Sequence, residues 1–125
     1  MVQVLYVEDD PIFRNLVSDI LRYSGDFELS LAVDGEDGVR KALAVDYDII
    51  IMDIMMPDID GWEATRRIKL VKPESIVISL SALNLRELDG NGMFEDYIRK
   101  PIKSFEFKKA LRTIAMKHGF KVNPV

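Results

Sequence analysis

One stretch decides the fold of this chain, and it reads Asp48-Ile49-Ile50-Ile51-Met52-Asp53-Ile54-Met55-Met56-Pro57-Asp58-Ile59-Asp60-Gly61. The unbroken apolar run Ile49–Met52 is typical of a strand that is buried on both faces of a parallel sheet. The run ends at Asp53, and an ionised carboxylate costs several kcal/mol to bury unless a partner compensates it. We therefore expect Asp53 at the end of the strand, in a crevice that supplies counter-charges. Pro57 and the residues after it predict a turn that leads into a helix.

Strands and helices alternate on both sides of this stretch. Apolar runs predict five strands, at Val4–Val7, Phe27–Val33, Ile49–Met52, Ile76–Leu80 and Asp96–Ile98. Helical spacing of apolar residues predicts helices that begin at Pro11, Glu36, Gly61 and Ser104, with Asp10 capping the first and Ser104 the last. This alternation predicts an α/β fold, a parallel sheet with helices on both faces and a ligand site beyond the carboxyl ends of its strands.

Length and composition limit the classes of protein to consider. The 125 residues suit one domain, and 48% hydrophobic with 30% charged residues is ordinary for a soluble domain. No apolar run approaches the ~20 residues that cross a bilayer, and no leader pattern opens the sequence, so we expect no membrane association. The absence of cysteine excludes disulfides, thiol nucleophiles and zinc–thiolate sites, and it favours a cytoplasmic location.

The net charge of −4 is unevenly distributed along the chain. Residues 99–121 hold eight Lys or Arg and one acid, so they carry about +7, and residues 1–98 carry about −11. A basic last helix is more often a solvated face than a nucleic-acid surface. We therefore expect no direct binding to nucleic acid.

Polar side chains follow four of the five predicted strands. They are Glu8, Asp9 and Asp10 after the first, Asp53 after the third, Ser81 after the fourth and Lys100 after the fifth. Carboxylates this close repel one another unless a cation joins them, and all-oxygen ligands suit Mg²⁺. An anion beside that metal could also contact the hydroxyl and the ammonium group. The set predicts a phosphoryl site with an aspartate nucleophile.

Each of these residues also has an ordinary structural interpretation. Asp10 before Pro11 is suited to helix capping, Ser81 could cap the next helix, and Lys100 could be a solvated lysine. Glu8 and Asp9 taken singly could be loop acids. Their joint occurrence at the ends of successive strands favours the functional interpretation.

Four motifs together are specific for one family: Val7-Glu8-Asp9-Asp10, Met52-Asp53-Ile54-Met55-Met56-Pro57 with Asp60-Gly61, Ser81-Ala82, and Tyr97-Ile98-Arg99-Lys100-Pro101. On these motifs the chain resembles the receiver domain of two-component response regulators, along nearly its whole length. The resemblance implies one receiver domain over residues 1–125. It also implies a flavodoxin-like, doubly wound, five-stranded parallel sheet in the order 2-1-3-4-5.

The resemblance assigns the acidic residues to phosphoryl transfer. Asp53 would accept a phosphoryl group from the phosphohistidine of a histidine kinase or a phosphotransfer protein. Glu8, Asp9, Asp53 and the backbone carbonyl group of Met55 would bind Mg²⁺. Such a chain is a signalling switch that catalyses only its own phosphorylation and dephosphorylation, and is not a turnover enzyme.

The resemblance assigns the remaining motif residues to signal read-out. Ser81 and Lys100 would contact the phosphoryl oxygens, and Ser81 and Tyr97 would move together as the switch pair. Lys100 and Pro101 would be joined by a cis peptide bond. A changed surface would then meet a downstream protein, a fused domain or a second copy of the chain.

One region departs from the family pattern. Only 19 positions separate Ser81 from Lys100, roughly one helical turn fewer than receivers usually have, and Gly90 and Gly92 fall there. We expect the fourth helix to be short or partly unwound. Because this helix belongs to the usual signalling face, the sequence does not determine the partner, the dimer geometry or the output. It also leaves open whether the domain acts alone or within a longer regulator or hybrid kinase.

Three other functions are weaker interpretations of the same residues. A Mg²⁺-dependent phosphatase with an aspartyl nucleophile would need a second acid at the position of Met55. A flavin module would need small residues where Glu8 and its neighbours would repel a phosphate group. A receiver-like module that is never phosphorylated would not need the complete set of acids with Ser81 and Lys100.

Overall fold

The computed structural model describes residues 1–123, which form a parallel sheet with helices on both faces. The strands are Val2–Val7 (β1), Phe27–Ala32 (β2), Ile49–Asp53 (β3), Val77–Ser81 (β4) and Asp96–Arg99 (β5). The helices are Pro11–Leu21 (α1), Gly35–Ala44 (α2), Gly61–Val71 (α3), Leu85–Leu88 (α4) and Ser104–Lys117 (α5). The strand order β2-β1-β3-β4-β5, parallel throughout, confirms the predicted flavodoxin-like fold. None of the helices in residues 1–123 is long and apolar enough to cross a membrane.

The sheet separates two apolar layers. Because side chains alternate along a strand, β1 sends Val4 and Tyr6 into one layer and Leu5 and Val7 into the other. The first layer packs against α1 and α5, and the second against α2, α3 and α4. All five residues of β3 are buried, as expected for a central strand covered on both faces.

The turn after β3 depends on a glycine. The backbone N–H of Gly61 donates to the carbonyl oxygen of Ile54 at 2.8 Å, so the chain folds back tightly after Asp53. A Cβ at residue 61 would collide with the backbone carbonyl oxygen of Asp53. The Asp60 side chain then caps α3 by accepting from the N–H of Glu63 at 2.9 Å. This turn fixes the backbone from which the Asp53 side chain projects.

The structure confirms one of the two predicted helix caps and corrects the other. The side chain of Asp10 accepts from the N–H of Ile12 at 2.9 Å, which confirms its role as the cap of α1. The prediction that Ser104 caps the last helix is wrong by one residue. Lys103 occupies the cap position without a side-chain bond, and Ser104 is the first helical residue. The helix starts there because the N–H of Phe107 already donates to the carbonyl oxygen of Lys103 at 2.7 Å.

The fourth helix is a single turn, as the short segment predicted. Leu85 is buried and anchors it, and the helix ends at Leu88, with Asp89 as its cap residue. The Asp89 carboxylate accepts from the N–H groups of Met93 and Phe94, at 2.8 and 2.9 Å. A side chain therefore organises this segment, where a longer helix would have used its own carbonyl groups.

Candidate functional site

A cleft of about 250 Å³ opens at the carboxyl edge of the sheet. The loops after β1, β3, β4 and β5 supply its lining, which is Glu8, Asp9, Asp10, Phe13, Asp53, Met55, Ser81, Ala82 and Lys100. A larger groove of about 440 Å³ lies between α1 and α5, but its lining is mostly apolar and contains one carboxylate, Asp19. Among the described residues, the one group of three carboxylates close enough to share a metal ion lies in the smaller cleft.

Three carboxylates meet in this cleft. Glu8, Asp9 and Asp53 each offer an oxygen atom, and these atoms lie within 4.8 Å of one another. Glu8 is 1% exposed and Asp53 is 4% exposed, so two of the three acids are almost fully removed from water. Asp10 lines the same cleft but its carboxylate is committed to the start of α1. The sequence grouped these four acids together, and the geometry separates three potential ligands from one helix cap.

Lys100 is the cation that faces the acids. Its Nζ atom lies 3.2 Å from Oε1 of Glu8 and 3.4 Å from Oδ1 of Asp53. The same atom lies 4.0 Å from the centre of the Phe13 ring, a cation–π contact. From the sequence, Phe13 had no predicted role in the site, because helical spacing alone does not indicate which ring will cover a lysine 87 positions away.

The charges in the cleft are not balanced. Burial raises the pKa of Asp53 to about 7, and the neighbouring Glu8 adds to this effect. Burial also opposes ionisation of Glu8, but hydrogen bonds from Asp53 and Tyr6 and the charge of Lys100 leave the pKa of Glu8 below its ordinary value. These opposed shifts follow from the crowding of carboxyl groups around a single ammonium group, that of Lys100. Closely spaced carboxylate oxygens with a single ammonium group beside them fit a hard divalent ion such as Mg²⁺.

Tyr6 and Arg14 both donate hydrogen bonds to Glu8, and neither contact was predicted from the sequence. The hydroxyl group of Tyr6 donates to Oε1 of Glu8 at 2.7 Å, and the Arg14 guanidinium donates to the Glu8 backbone carbonyl oxygen at 2.8 Å. Burial, together with the bond to Glu8, raises the pKa of Tyr6. The available signal was spacing, because residues two apart along an extended chain face the same side, and a buried tyrosine hydroxyl needs an acceptor.

Ser81 and Lys100 lie where their neighbouring strands end. Ser81 is 3% exposed, and its Oγ atom accepts from the backbone N–H of Leu83 at 3.1 Å. The backbone N–H of Lys100 donates to the Ser81 carbonyl oxygen at 2.9 Å, and the Lys100–Pro101 peptide bond is cis. Met55 lines the cleft from the loop after β3, with its side chain largely exposed.

Tyr97 points toward the α4 segment. Its hydroxyl group donates to Oδ2 of Asp89 at 2.8 Å, and the guanidinium of Arg86 lies 5.0 Å from the centre of its ring. From the sequence, Asp89 had no predicted role of its own. An aspartate before a glycine often binds nearby backbone N–H groups, which could have indicated its local role but not its bond to Tyr97.

A family model for the response regulator receiver domain matches residues 4–112. The chain belongs to this family. The receiver fold accounts for the acidic cleft, because it brings the ends of β1, β3 and β5 to one edge.

Individual relatives agree with this assignment. The transcriptional regulatory protein CusR of Escherichia coli K12 is 32% identical over 116 residues, which are 90% of this chain and 51% of CusR. The receiver chain thus spans about half the length of the curated relatives it matches. As a receiver domain, it is homologous to phosphorylation-controlled switches of two-component signalling.

Two solved structures are similar in both sequence and shape. The response regulator TrrA of Thermotoga maritima, in complex with Mg²⁺ and BeF, is 30% identical with a TM-score of 0.80, over 91% of this chain and 99% of TrrA. The receiver domain of the sensor histidine kinase PA1611 of Pseudomonas aeruginosa PAO1 has a magnesium ion coordinated in its active-site cleft. It is 32% identical with a TM-score of 0.77, over 89% of this chain and 94% of that domain.

Proposed function

We propose that Asp53 is the phosphoryl acceptor of this receiver domain, and that its donor is the phosphohistidine of a histidine kinase or a phosphotransfer protein. A carboxylate oxygen of Asp53 would attack phosphorus, and the bond from phosphorus to the histidine nitrogen would break with its electron pair leaving on nitrogen. The observation that carries this proposal is the position of Asp53 at the end of β3, within the reach of two further acids and one ammonium group.

The acids of the cleft would hold Mg²⁺. Glu8, Asp9, Asp53 and the backbone carbonyl group of Met55 are the proposed ligands, and the magnesium-bound relatives support this assignment. The ion would neutralise the acids and the phosphoryl oxygens as they approach one another. Its positive charge would lower the pKa of Asp53, which burial raises, and would so favour the carboxylate form that acts as the nucleophile.

Lys100 and Ser81 would bind the transferred group. The Lys100 ammonium has three donors, so it can turn from the acids toward a phosphoryl oxygen without losing every present contact. The Ser81 hydroxyl lies at the end of β4 beside it and would donate to another phosphoryl oxygen. Ser81 and Tyr97 would then act as the switch pair, which requires Tyr97 to leave Asp89.

We also propose that the domain has no turnover activity on free phosphomonoesters. A phosphatase of the aspartyl type needs a proton-donating acid two residues beyond the nucleophile, and Met55 carries a thioether there. A flavin phosphate group would meet Glu8 and Asp9. The ion pair between Asp53 and Lys100, beside two further acids, favours a phosphorylated receiver over an inert one.

The remaining parts of the proposal concern context. The receiver unit comprises residues 1–125, of which 124 and 125 lie outside the described residues. It works in the cytoplasm, which the absence of cysteine suits. Its output is a protein partner, a fused domain or a second copy of itself, without direct contact to nucleic acid or membrane.

The proposal is tested by phosphorylation with a small-molecule donor such as acetyl phosphate. We expect a mass gain of one phosphoryl group that requires Mg²⁺ and disappears with a chelator. Asp53→Asn should abolish the gain, whereas Asp58→Asn, a matched change in the following loop, should leave it intact. A gain that persists in Asp53→Asn would contradict the proposed acceptor.

A further inference from the structure

Tyr6 places a hydroxyl group at a fixed point below the acidic cleft. The residue is fully buried, and β1 pairs on both sides at this position, with Leu31 of β2 and Ile51 of β3. Its ring belongs to the apolar layer under α1 and α5. A buried side chain on a doubly paired central strand has little freedom to move. Its hydroxyl group therefore stays where it meets Glu8.

The two oxygen atoms of Glu8 are held unequally. Oε1 accepts from the Tyr6 hydroxyl at 2.7 Å and from the Lys100 ammonium at 3.2 Å. Oε2 accepts from the backbone N–H of Asp10 at 3.3 Å, a longer contact. The shortest of these bonds is that from Tyr6, whose ring is fully buried.

The bond from Lys100 cannot position Glu8 by itself. The same ammonium lies 3.4 Å from Asp53, and a phosphoryl group on Asp53 would attract it away from Glu8. A flexible lysine stem allows that movement, whereas the tyrosine ring does not. Tyr6 is thus the side-chain donor whose bond to Glu8 persists while the charges in the cleft change.

We propose that Tyr6 is a positioning residue for the magnesium site, because its hydroxyl group fixes the Glu8 carboxylate in the orientation that binds the ion. The inference rests on the proposed function, since it requires Glu8 to be a ligand. Hydrogen bonds from neighbouring side chains commonly orient metal ligands, and their removal typically lowers metal affinity 10- to 100-fold.

The test is an NMR titration with MgCl₂ that compares Tyr6→Phe with the wild type. Tyr6→Phe removes one oxygen atom and keeps the ring, and we expect its dissociation constant for Mg²⁺ to rise roughly tenfold. Tyr23→Phe removes the same atom from a ring that is 88% exposed, and its dissociation constant should equal that of the wild type. If Tyr6 acts through Glu8, Tyr6→Phe should add little to the loss already caused by Glu8→Gln.

Melting curves recorded in a chelator separate this role from simple packing. A lower metal-free melting temperature with an unchanged dissociation constant for Tyr6→Phe would show that Tyr6 serves packing only, and would overturn the inference. Full additivity of Tyr6→Phe and Glu8→Gln would also overturn it. A wild type that binds no Mg²⁺ would overturn the inference together with the proposed metal site, so the two failures are distinguishable.

Discussion

The hydroxyl group of Tyr97 donates a hydrogen bond of 2.8 Å to Oδ2 of Asp89. The same carboxylate accepts from two backbone N–H groups, those of Met93 and Phe94. Through these bonds Asp89 connects Tyr97 of β5 with the residues that follow α4. The movement of the Tyr97 ring that we propose for the switch would break one of the three bonds to Asp89 and loosen this segment.

We predict that Asp89→Asn lowers the free energy of unfolding by about 2 kcal/mol at pH 7, because an amide must turn its NH₂ group toward at least one buried donor. Urea unfolding measures the change. Glu87→Gln, on the exposed side of the same helix, is the matched control and should alter stability by less than about 0.5 kcal/mol. Equal effects from the two variants would contradict the account of Asp89.

The same comparison has a predicted pH dependence. Burial alone would raise the pKa of Asp89, but the bonds from Phe94, Met93 and Tyr97 leave it below its ordinary value. The ionised carboxylate therefore contributes its full stability above the unfolded-state pKa of about 4, and that contribution is lost as pH falls through the lower folded-state pKa. The stability gap between wild type and Asp89→Asn should narrow below pH 4.

We expect residues 84–92, which contain α4, to be less stable to local opening than the central sheet, and hydrogen exchange measures this. Residues 84–92 have one helical turn and mostly exposed side chains, so we predict amide exchange there many-fold faster than in β3. The amides of Met93 and Phe94 should be slower than those of residues 84–92, because Asp89 binds them. Exchange in residues 84–92 as slow as in β3 would rule out local opening.

Much of the site could be predicted because it follows from the ends of strands. An apolar run that stops at Asp53 predicts a buried strand and a buried acid, and parallel strands bring their carboxyl ends to one edge. The acids, Ser81 and Lys100 were therefore placed correctly at that edge without knowledge of any distance.

The contacts between side chains could not be predicted in the same way. The bond from Tyr97 to Asp89 joins residues eight positions apart across an irregular loop, and the contact between Phe13 and Lys100 joins opposite ends of the chain. Such contacts depend on rotamers and on loop geometry, neither of which leaves a periodic pattern. The division between Asp9, a potential ligand, and Asp10, a helix cap, likewise became definite only with the hydrogen bond to Ile12.

That division predicts different effects on metal binding. Asp9→Asn removes a proposed ligand and should reduce the rise in melting temperature that Mg²⁺ produces, corresponding to roughly tenfold weaker binding. Asp10→Asn should keep nearly the whole rise, because asparagine caps a helix as well as aspartate does. Equal losses from the two variants, measured by thermal denaturation over a MgCl₂ series, would contradict the assignment.

The lifetime of the phosphorylated state should be long. Met55 lines the cleft, and Leu83, whose N–H binds Ser81, is 44% exposed and does not turn into the core. Neither side chain can orient an attacking water molecule. We predict that Met55→Asn combined with Leu83→Glu accelerates loss of phosphate about tenfold or more. A tenfold acceleration corresponds to an activation free energy that is ~1.4 kcal/mol lower.

The decay is followed by the return of the unphosphorylated mass after removal of the phosphodonor. Leu88→Glu is the control, because it introduces the same acid at another exposed position of this region. Decay of the double variant at the wild-type rate would show that Met55 and Leu83 do not shield the phosphoryl group.

The central claim is that phosphate resides on Asp53, and reductive mapping tests it most directly. Borohydride reduces an aspartyl phosphate to homoserine, so treatment of the protein phosphorylated with Mg²⁺ and acetyl phosphate marks the acceptor permanently. The account predicts homoserine at residue 53 and unmodified acids at residues 8, 9, 10 and 58. A reduced residue at any of those other positions, or none in a protein that has gained phosphate, would contradict it.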